Sequence, residues 1–133
     1  VLDERARTAY DVDREALAGI VAAKQQEGRR RVAVYRGGRP APEVEGRTAV
    51  VVDDGIATGL TALAAVRAMR GRAASRVVLA APVMSREAHG LLTGETDDLV
   101  ALEVPRRFGA VSRFYAEFPQ TGDAEVLALL GRG

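Results

Sequence analysis

The sequence predicts an α/β fold in which helices flank a parallel sheet. Three short runs are predicted strands, at residues 49–52, 76–81 and 99–104, and the first is an apolar run without alternation, the pattern of a strand that is buried on both faces of a sheet. Amphipathic segments separate these runs, and alternating strands and helices favour right-handed crossovers into a parallel sheet. A chain of 133 residues, 47% of them hydrophobic, can bury one core. We therefore expect a single domain over residues 1–133.

Three strands are few for a parallel sheet, because both faces and both edges of such a sheet need cover. The chain also begins at Val1 rather than at a methionine. We therefore expect the fold to be incomplete at the N-terminus, with this chain as the C-terminal portion of a longer domain. An open sheet edge also favours association into a homo-oligomer.

The chain starts with a predicted helix over residues 13–31, followed by a connector. Glycines and prolines at residues 37–42 exclude a continued helix. We expect residues 36–47 to form a mobile loop. The helix prediction for residues 13–31 rests on apolar residues that recur at helical spacing, namely Leu17, Ile20 and Val21.

Helical segments alternate with the predicted strands after this loop. Residues 59–70 form an amphipathic pattern, and Ser85 is a suitable N-cap for a short helix over residues 85–92. Residues 110–118 also look helical. A last amphipathic helix has Thr121 or Asp123 as its cap and Val126, Leu127 and Leu130 on its apolar face.

The composition excludes several classes of function. The chain has no cysteine, which removes disulfides, thiolate zinc sites and cysteine nucleophiles and fits a reducing interior, so we expect a cytoplasmic protein. Charged residues make up 28% of the chain but the net charge is only +1, so no general attraction to nucleic acid or to an anionic membrane is expected. The longest apolar stretch, residues 77–84, is far too short to span a bilayer. A small molecule is the expected partner.

Residues able to bind a ligand cluster where the first strand ends. Open α/β sheets bind ligands at the carboxyl ends of their strands, and Asp53 and Asp54 lie at that end. Paired carboxylates can accept hydrogen bonds from two vicinal sugar hydroxyls and can help to hold a hydrated divalent cation. Glycines and threonines follow over residues 55–61, and the next helix offers its free N-terminal amides to a phosphate. The sequence thus predicts a site for a sugar phosphate.

Residues 49–61 resemble the motif with which type I phosphoribosyltransferases bind phosphoribosyl pyrophosphate (PRPP), in which four apolar residues precede two acids and a Thr-Gly-x-Thr loop. The flanking segments are similar to bacterial predicted phosphoribosyltransferases of unassigned base specificity; they are YRGGRP at residues 35–40 and FGAVSRFYAEF at residues 108–118. The resemblance implies that the two acids hold the ribose hydroxyls and that the loop cradles the 5-phosphate. The implied PRPP-binding residues are Asp53, Asp54, Gly55, Ile56, Ala57, Thr58, Gly59, Leu60 and Thr61.

The resemblance also implies a reaction in nucleotide metabolism. A ring nitrogen of a nucleobase displaces pyrophosphate at C1 of the ribose, through a transition state with oxocarbenium character, and no covalent nucleophile is needed. Mg²⁺ accompanies PRPP, and Asp53 and Asp54 would hold it indirectly, through PRPP or water. The alternative is a non-catalytic module that senses PRPP or a nucleotide with the same loop.

Two departures from the family pattern bear on these expectations. Ala57 stands where the enzymes that act on hypoxanthine or guanine carry an aspartate, and in this respect the chain is similar to the adenine and uracil enzymes. No general base is assigned. The family also has a short pyrophosphate-binding loop after an upstream strand, which residues 1–48 do not show. This second departure favours the binding-module alternative.

Other residues are weaker candidates for the site. Arg36 and Arg39 can reach pyrophosphate when the mobile loop closes, although arginines in such loops are more often only solvated. Phe108, Phe114 and Tyr115 can stack on a base, although aromatic residues near helical spacing are more often part of a core.

A phosphorelay receiver domain would also place an acid pair at the end of a buried strand. Such a domain needs a lysine on a later strand, whereas the only lysine here, Lys24, precedes the acids. The glycine spacing after the acids also fits neither a dinucleotide-binding loop nor a P-loop. These rival classes are therefore excluded.

Overall fold

The computed structural model describes residues 14–131, with side chains from residue 17 onwards. These residues form two compact units: one is Glu43–Phe118, and the other combines residues 14–42 with residues 119–131. The predicted helix start at Asp13 lies outside the described residues. In chain order the elements are α1 (Arg14–Arg36), β1 (Thr48–Val52), α2 (Leu60–Gly71), β2 (Arg76–Val83), α3 (Arg86–Leu92), β3 (Asp98–Glu103), a 3₁₀ turn (Val111–Phe114) and α4 (Asp123–Leu130).

The first unit contains a parallel sheet with the strand order β1-β2-β3. Its register places Val50 opposite Val78, and Ala80 opposite Val100. A helix connects each strand to the next, as expected for parallel neighbours. The prediction of an α/β fold with a parallel sheet is confirmed.

The core lies between one face of the sheet and the helices α2 and α3. Leu79 on the central strand and Leu92 on α3 have no exposed surface, and burying such a side chain contributes roughly 1.5–3 kcal/mol. Ile56, which follows β1, belongs to the same cluster and ties its loop to the core. The full cluster is Ile56, Ala62, Leu63, Val66, Val77, Leu79, Ala81, Met84, Ala88 and Leu92.

The other face of the sheet is exposed on the outer strands, which corrects one prediction. Val50 and Val52 on β1 are 61% and 71% exposed, and Val100 and Leu102 on β3 are 47% and 84% exposed. The central strand β2 instead alternates mainly between buried and half-buried residues. The prediction that β1 is buried on both faces is therefore wrong, because α2 and α3 pack against one face of the sheet.

Helix α1 is longer than predicted. It continues to Arg36 rather than ending near residue 31, since the first strong helix breakers beyond that point are Gly37 and Gly38, with φ angles of +53° and +81°. Although α1 has 23 residues, no helix within residues 14–131 is both long and apolar enough to cross a membrane.

The helix predicted over residues 110–118 is largely absent. Only Val111–Phe114 forms a 3₁₀ turn, and Tyr115 already has an extended backbone. The aromatic side chains pair with one another, Phe108 with Phe114 at a ring-centroid distance of 5.5 Å and Tyr115 with Phe118 at 5.0 Å. The spacing of these aromatic residues in the sequence therefore reflects the ring contacts and does not place them on one face of a helix.

In the second unit, α1 and α4 are joined at Asp123. Its carboxylate accepts a hydrogen bond from the Tyr35 hydroxyl at 2.6 Å and another from Arg30 at 3.0 Å, and both bonds lower its pKa. Gly122 precedes α4 and provides no side-chain cap, so the predicted cap by Thr121 or Asp123 is wrong. No described side chain of this unit is buried. Polar contacts, part-buried at Tyr35 and exposed at Arg30, thus link its two helices.

Candidate functional site

The predicted site begins where β1 ends, at the carboxyl edge of the sheet. The Asp53 N–H donates to the Ala80 carbonyl of β2 at 3.1 Å. The Asp54 N–H donates to Oδ1 of Asp53 at 3.0 Å. Asp53 is half-buried and Asp54 is exposed. The two acids therefore lie side by side on an accessible turn.

Burial is the main influence on the charge of Asp53. It raises the pKa of this carboxyl above the ordinary value; the Asp54 N–H lowers it by a smaller amount, and the Asp54 charge raises it further. No cationic side chain of the described residues contributes to the shift. A ligand that donates hydrogen bonds here, or brings a cation, would stabilise the charged carboxylate.

Ile56 fixes the loop that follows the acids. Its side chain is 3% exposed, and its N–H donates to the Val83 carbonyl at 3.0 Å. Its carbonyl accepts from the Ser85 N–H at 2.9 Å, and it forms a parallel bridge with Met84. The loop is thereby tied to the end of β2 before it turns into α2.

Ser85 also holds the loop through its side chain. Its hydroxyl accepts from the Ala88 N–H at 3.0 Å and caps α3, which confirms the predicted N-cap. The same hydroxyl donates to the Ala57 carbonyl at 2.5 Å. The sequence pattern predicted the cap. It did not predict the bond to the Ala57 carbonyl, because only the folded chain brings residues 57 and 85 together.

Gly59 allows the loop to lie directly on α3. Its φ is +81°, a left-handed conformation that costs other residues about 1–2 kcal/mol. A Cβ at this position would lie 3.1 Å from Leu91 Cδ2 and 3.3 Å from Ala88 Cβ. Helix α2 begins at the next residue, so this glycine sets the entry of the chain into the helix.

A pocket of about 200 Å³ opens along this loop. Within residues 14–131, the backbone N–H groups of residues 57–62 have no protein acceptor, as expected where a helix begins. Such amides at the positive end of a helix dipole form an anion site. Of the predicted residues, Asp54 and Leu60 do not line the pocket. Its lining is Asp53, Gly55, Ile56, Ala57, Thr58, Gly59, Thr61 and Ala62.

The described residues contain no group of three or more His, Cys, Asp or Glu side chains that could hold a metal ion. Asp53 and Asp54 supply two carboxylates, whereas Mg²⁺ requires six oxygen ligands and usually keeps several waters. These two residues therefore fit a cation that is held mainly by a ligand and by water.

A second pocket of about 420 Å³ lies near the carboxyl ends of β2 and β3. Phe114 and Tyr115 line it, whereas Phe108 does not and packs against Phe114 instead. The structure thus places two of the three predicted aromatic residues at a pocket. The lining is Pro82, Val83, Leu102, Glu103, Phe114 and Tyr115.

Arg36 and Arg39 belong to the second unit. Arg36 is the last residue of α1, and its carbonyl accepts a hydrogen bond from Arg39 Nε at 3.1 Å. Their contact with pyrophosphate, and closure of the loop over residues 36–47, stay predictions.

Comparison with known proteins assigns the family. The phosphoribosyl transferase domain family matches residues 6–115, which is more than half of the chain. The chain belongs to the phosphoribosyl transferase family. The match to this family spans the residues that line both pockets.

Relatives and a solved structure agree with the phosphoribosyl transferase assignment. Two proteins from the Mycobacterium tuberculosis strains CDC 1551 / Oshkosh and H37Rv, both named "Putative phosphoribosyl transferase", are 39% identical over 132 residues and match 99% of this chain. The crystal structure of TT1426 from Thermus thermophilus is 37% identical, with a TM-score of 0.78 over 98% of this chain. The chain spans 30% of the length of the mycobacterial relatives and 61% of the Thermus chain.

Proposed function

We propose that the protein binds PRPP together with Mg²⁺ and transfers the 5-phosphoribosyl group to a ring nitrogen of a nucleobase, with release of pyrophosphate. One observation carries the proposal: Asp53 and Asp54 adjoin a loop whose amides have no acceptor among the described residues. A ribose 5-phosphate has a diol and a phosphate that suit these two features. Membership of the phosphoribosyl transferase family supports a transferase role.

In this proposal, residues 57–61 bind the 5-phosphate. The described lining of the first pocket contains no lysine or arginine, so the recognition of the anion depends on backbone amides and on the dipole of α2. Thr58 and Thr61 are exposed at the pocket and add hydroxyl donors. This set of donors suits a phosphate that is fixed in place rather than one that reacts.

Asp53 and Asp54 would accept hydrogen bonds from the two ribose hydroxyls. Such bonds favour the charged carboxylate and oppose the effect of burial on Asp53. When bound, Mg²⁺ would mask the charge of the pyrophosphate leaving group. The two acids would hold the cation through PRPP or water, which agrees with the small number of carboxylates at the site.

The second pocket is the candidate acceptor site. Phe114 and Tyr115 offer flat faces for a nucleobase, and Glu103 can accept a hydrogen bond from a ring amine or N–H group. Ala57 stands where the hypoxanthine and guanine enzymes carry an aspartate, and in this respect the chain is similar to the adenine and uracil enzymes. The residues of the site thus contribute mainly position and charge stabilisation, which is what an oxocarbenium-like displacement requires.

Neutralising both acids tests the binding site. We expect Asp53→Asn combined with Asp54→Asn to lower the affinity for PRPP with Mg²⁺ by about 10-fold or more, because each carboxylate loses a charge-assisted hydrogen bond. Titration calorimetry measures the affinity, and circular dichroism checks that the fold is intact. The matched control neutralises two other exposed acids of the same unit, Glu45→Gln with Glu117→Gln. An unchanged affinity in the Asp53 and Asp54 variant would remove the assignment.

Pyrophosphate release tests the reaction itself. The protein is incubated with PRPP, Mg²⁺ and either adenine, uracil, hypoxanthine or guanine. Release that depends on one of these bases supports the transferase. Binding of PRPP without release for any base would support the alternative, a non-catalytic module that senses PRPP or a nucleotide.

A further inference from the structure

The turn that carries the two acids is held from outside the PRPP motif. The Tyr115 hydroxyl donates a hydrogen bond to the Asp54 carbonyl at 2.6 Å, across 61 positions of sequence. Val111 packs against the neighbouring Gly55 so closely that a Cβ on this glycine would lie 2.5 Å from Val111 Cγ1. Both contacts come from the short segment of residues 111–115 that follows β3.

Two hydrogen bonds hold the backbone of Asp54, one at its N–H group and one at its carbonyl. Its N–H is bound to Oδ1 of Asp53 at 3.0 Å, and its carbonyl is bound to the Tyr115 hydroxyl. The Asp54 carboxylate itself makes no hydrogen bond or ion pair within the described side chains. The direction of this exposed carboxylate therefore depends on its backbone rather than on contacts of its own.

The position of Tyr115 is itself well defined. Its ring packs against Phe118 at a centroid distance of 5.0 Å and lines the second pocket beside Phe114. A residue anchored in this way can hold the acid turn without touching the sugar. The Tyr115 hydroxyl reaches the backbone of Asp54 and not a carboxylate, so its contribution to binding is indirect.

We infer that Tyr115 is a positioning residue, whose hydroxyl holds the Asp54 backbone so that the two acids face the ribose diol; this inference rests on the proposed function. Loss of the hydroxyl frees the Asp54 carbonyl and lets the turn move. The phosphate loop keeps its own attachments to Val83 and Ser85. Recognition of the diol should therefore weaken while recognition of the phosphate persists.

The test compares two sugar phosphates that differ at the diol. Titration calorimetry gives the affinities of the wild type and of Tyr115→Phe for ribose 5-phosphate and for 2-deoxyribose 5-phosphate. We expect the variant to lose about 3- to 10-fold in affinity for ribose 5-phosphate, the effect of one hydrogen bond, and much less for the deoxy sugar. The ratio of the two affinities should fall. General loosening of the fold would lower both affinities alike and leave the ratio unchanged.

Two further variants complete the test. Tyr35→Phe removes a hydroxyl that makes a hydrogen bond of the same length in the second unit and should leave the ratio at its wild-type value. Val111→Ala removes the methyl groups that lie against Gly55 and should lower the ratio as Tyr115→Phe does, which also covers the case in which Tyr115→Phe does not fold. A wild-type ratio in folded Tyr115→Phe would overturn the inference, as would a wild-type ratio in Val111→Ala where Tyr115→Phe does not fold. A wild type that binds neither sugar phosphate would instead refute the proposed function.

Discussion

The two halves of the candidate PRPP site are built in different ways. The phosphate half, residues 57–61, offers mainly backbone amides and is held by Ser85 and by the close packing of Gly59 on α3. The diol half, residues 53–55, offers carboxylates and is held by Val111 and Tyr115. Both halves are held by residues far along the chain. In the proposed function, phosphate binding would depend on backbone amides, and binding of the diol on the direction of side-chain carboxylates. Each half can be altered separately, and three probes distinguish them: inorganic phosphate, ribose 5-phosphate and 2-deoxyribose 5-phosphate.

The largest effect is expected in the phosphate half, from Gly59→Ala. The new Cβ combines the strain of a φ near +81° with close contacts to Leu91 and Ala88, and we expect a loss of about 2–4 kcal/mol in the free energy of unfolding. Inorganic phosphate and both sugar phosphates should bind more weakly by the same factor, because the diol half is unchanged. Urea unfolding and titration calorimetry measure the two effects.

The control for this variant is Gly90→Ala. Gly90 lies within α3, and a Cβ there would have no atom within 4 Å, so this change should be neutral or stabilise the helix by up to about 1 kcal/mol. Wild-type stability and phosphate affinity in Gly59→Ala would show that the loop does not need its left-handed turn.

A smaller effect in the same half is expected from Ser85→Ala. The change removes the N-cap of α3, which costs about 0.5–2 kcal/mol, and it also releases the Ala57 carbonyl. We therefore expect lower affinity for inorganic phosphate in addition to lower stability. Thr93→Ala is the matched control, because its hydroxyl donates to the His89 carbonyl at the other end of α3. Equal phosphate affinities in the two variants would mean that Ser85 stabilises only the helix.

The contrast between the halves also explains what the sequence could predict. The strands, the helix α2 and the phosphate half depend on local patterns: short apolar runs, a glycine before a helix, and hydroxyls at fixed spacing. The N-cap at Ser85 was predicted for the same reason. The length of α1 was underestimated because an exposed helix continues through ordinary residues until Gly37 and Gly38 stop it.

Long-range contacts were not predictable in this way. Nothing local marks Val111 as the neighbour of Gly55, or the Tyr115 hydroxyl as the partner of the Asp54 carbonyl. The helix predicted over residues 110–118 failed for a related reason, because ring pairing and contacts to the acid turn decide the conformation of that segment. The exposure of Val50 and Val52 likewise depends on which face of the sheet the helices cover.

The smallest predicted effect is that of Asp53→Asn, in the diol half. This change is expected to raise the stability of the protein, whereas Gly59→Ala and Ser85→Ala lower it. Because burial raises the pKa of Asp53, its charged form is less favourable in the folded protein than in the unfolded chain. The contribution of this residue to stability is fully present below the unfolded pKa and is lost as the pH rises through the folded pKa. At neutral pH we therefore expect Asp53→Asn to raise the free energy of unfolding by less than about 1 kcal/mol, since water still screens the carboxylate. This gain should vanish as the pH falls below the ordinary aspartate value.

Asp97 supplies the matched contrast to Asp53. Its pKa is lowered, first by the hydrogen bond from the Val77 N–H and then, against the effect of burial, by Arg70, so Asp97→Asn should reduce stability at neutral pH. Urea unfolding at neutral and at acidic pH compares the two variants. If Asp53→Asn also destabilised the protein at neutral pH, the Asp53 carboxylate would stabilise the fold. In that case the charge of the diol half would not lower the stability of the fold. A site that is prepared to bind sugar hydroxyls or a cation is expected to hold its charge at a cost in stability.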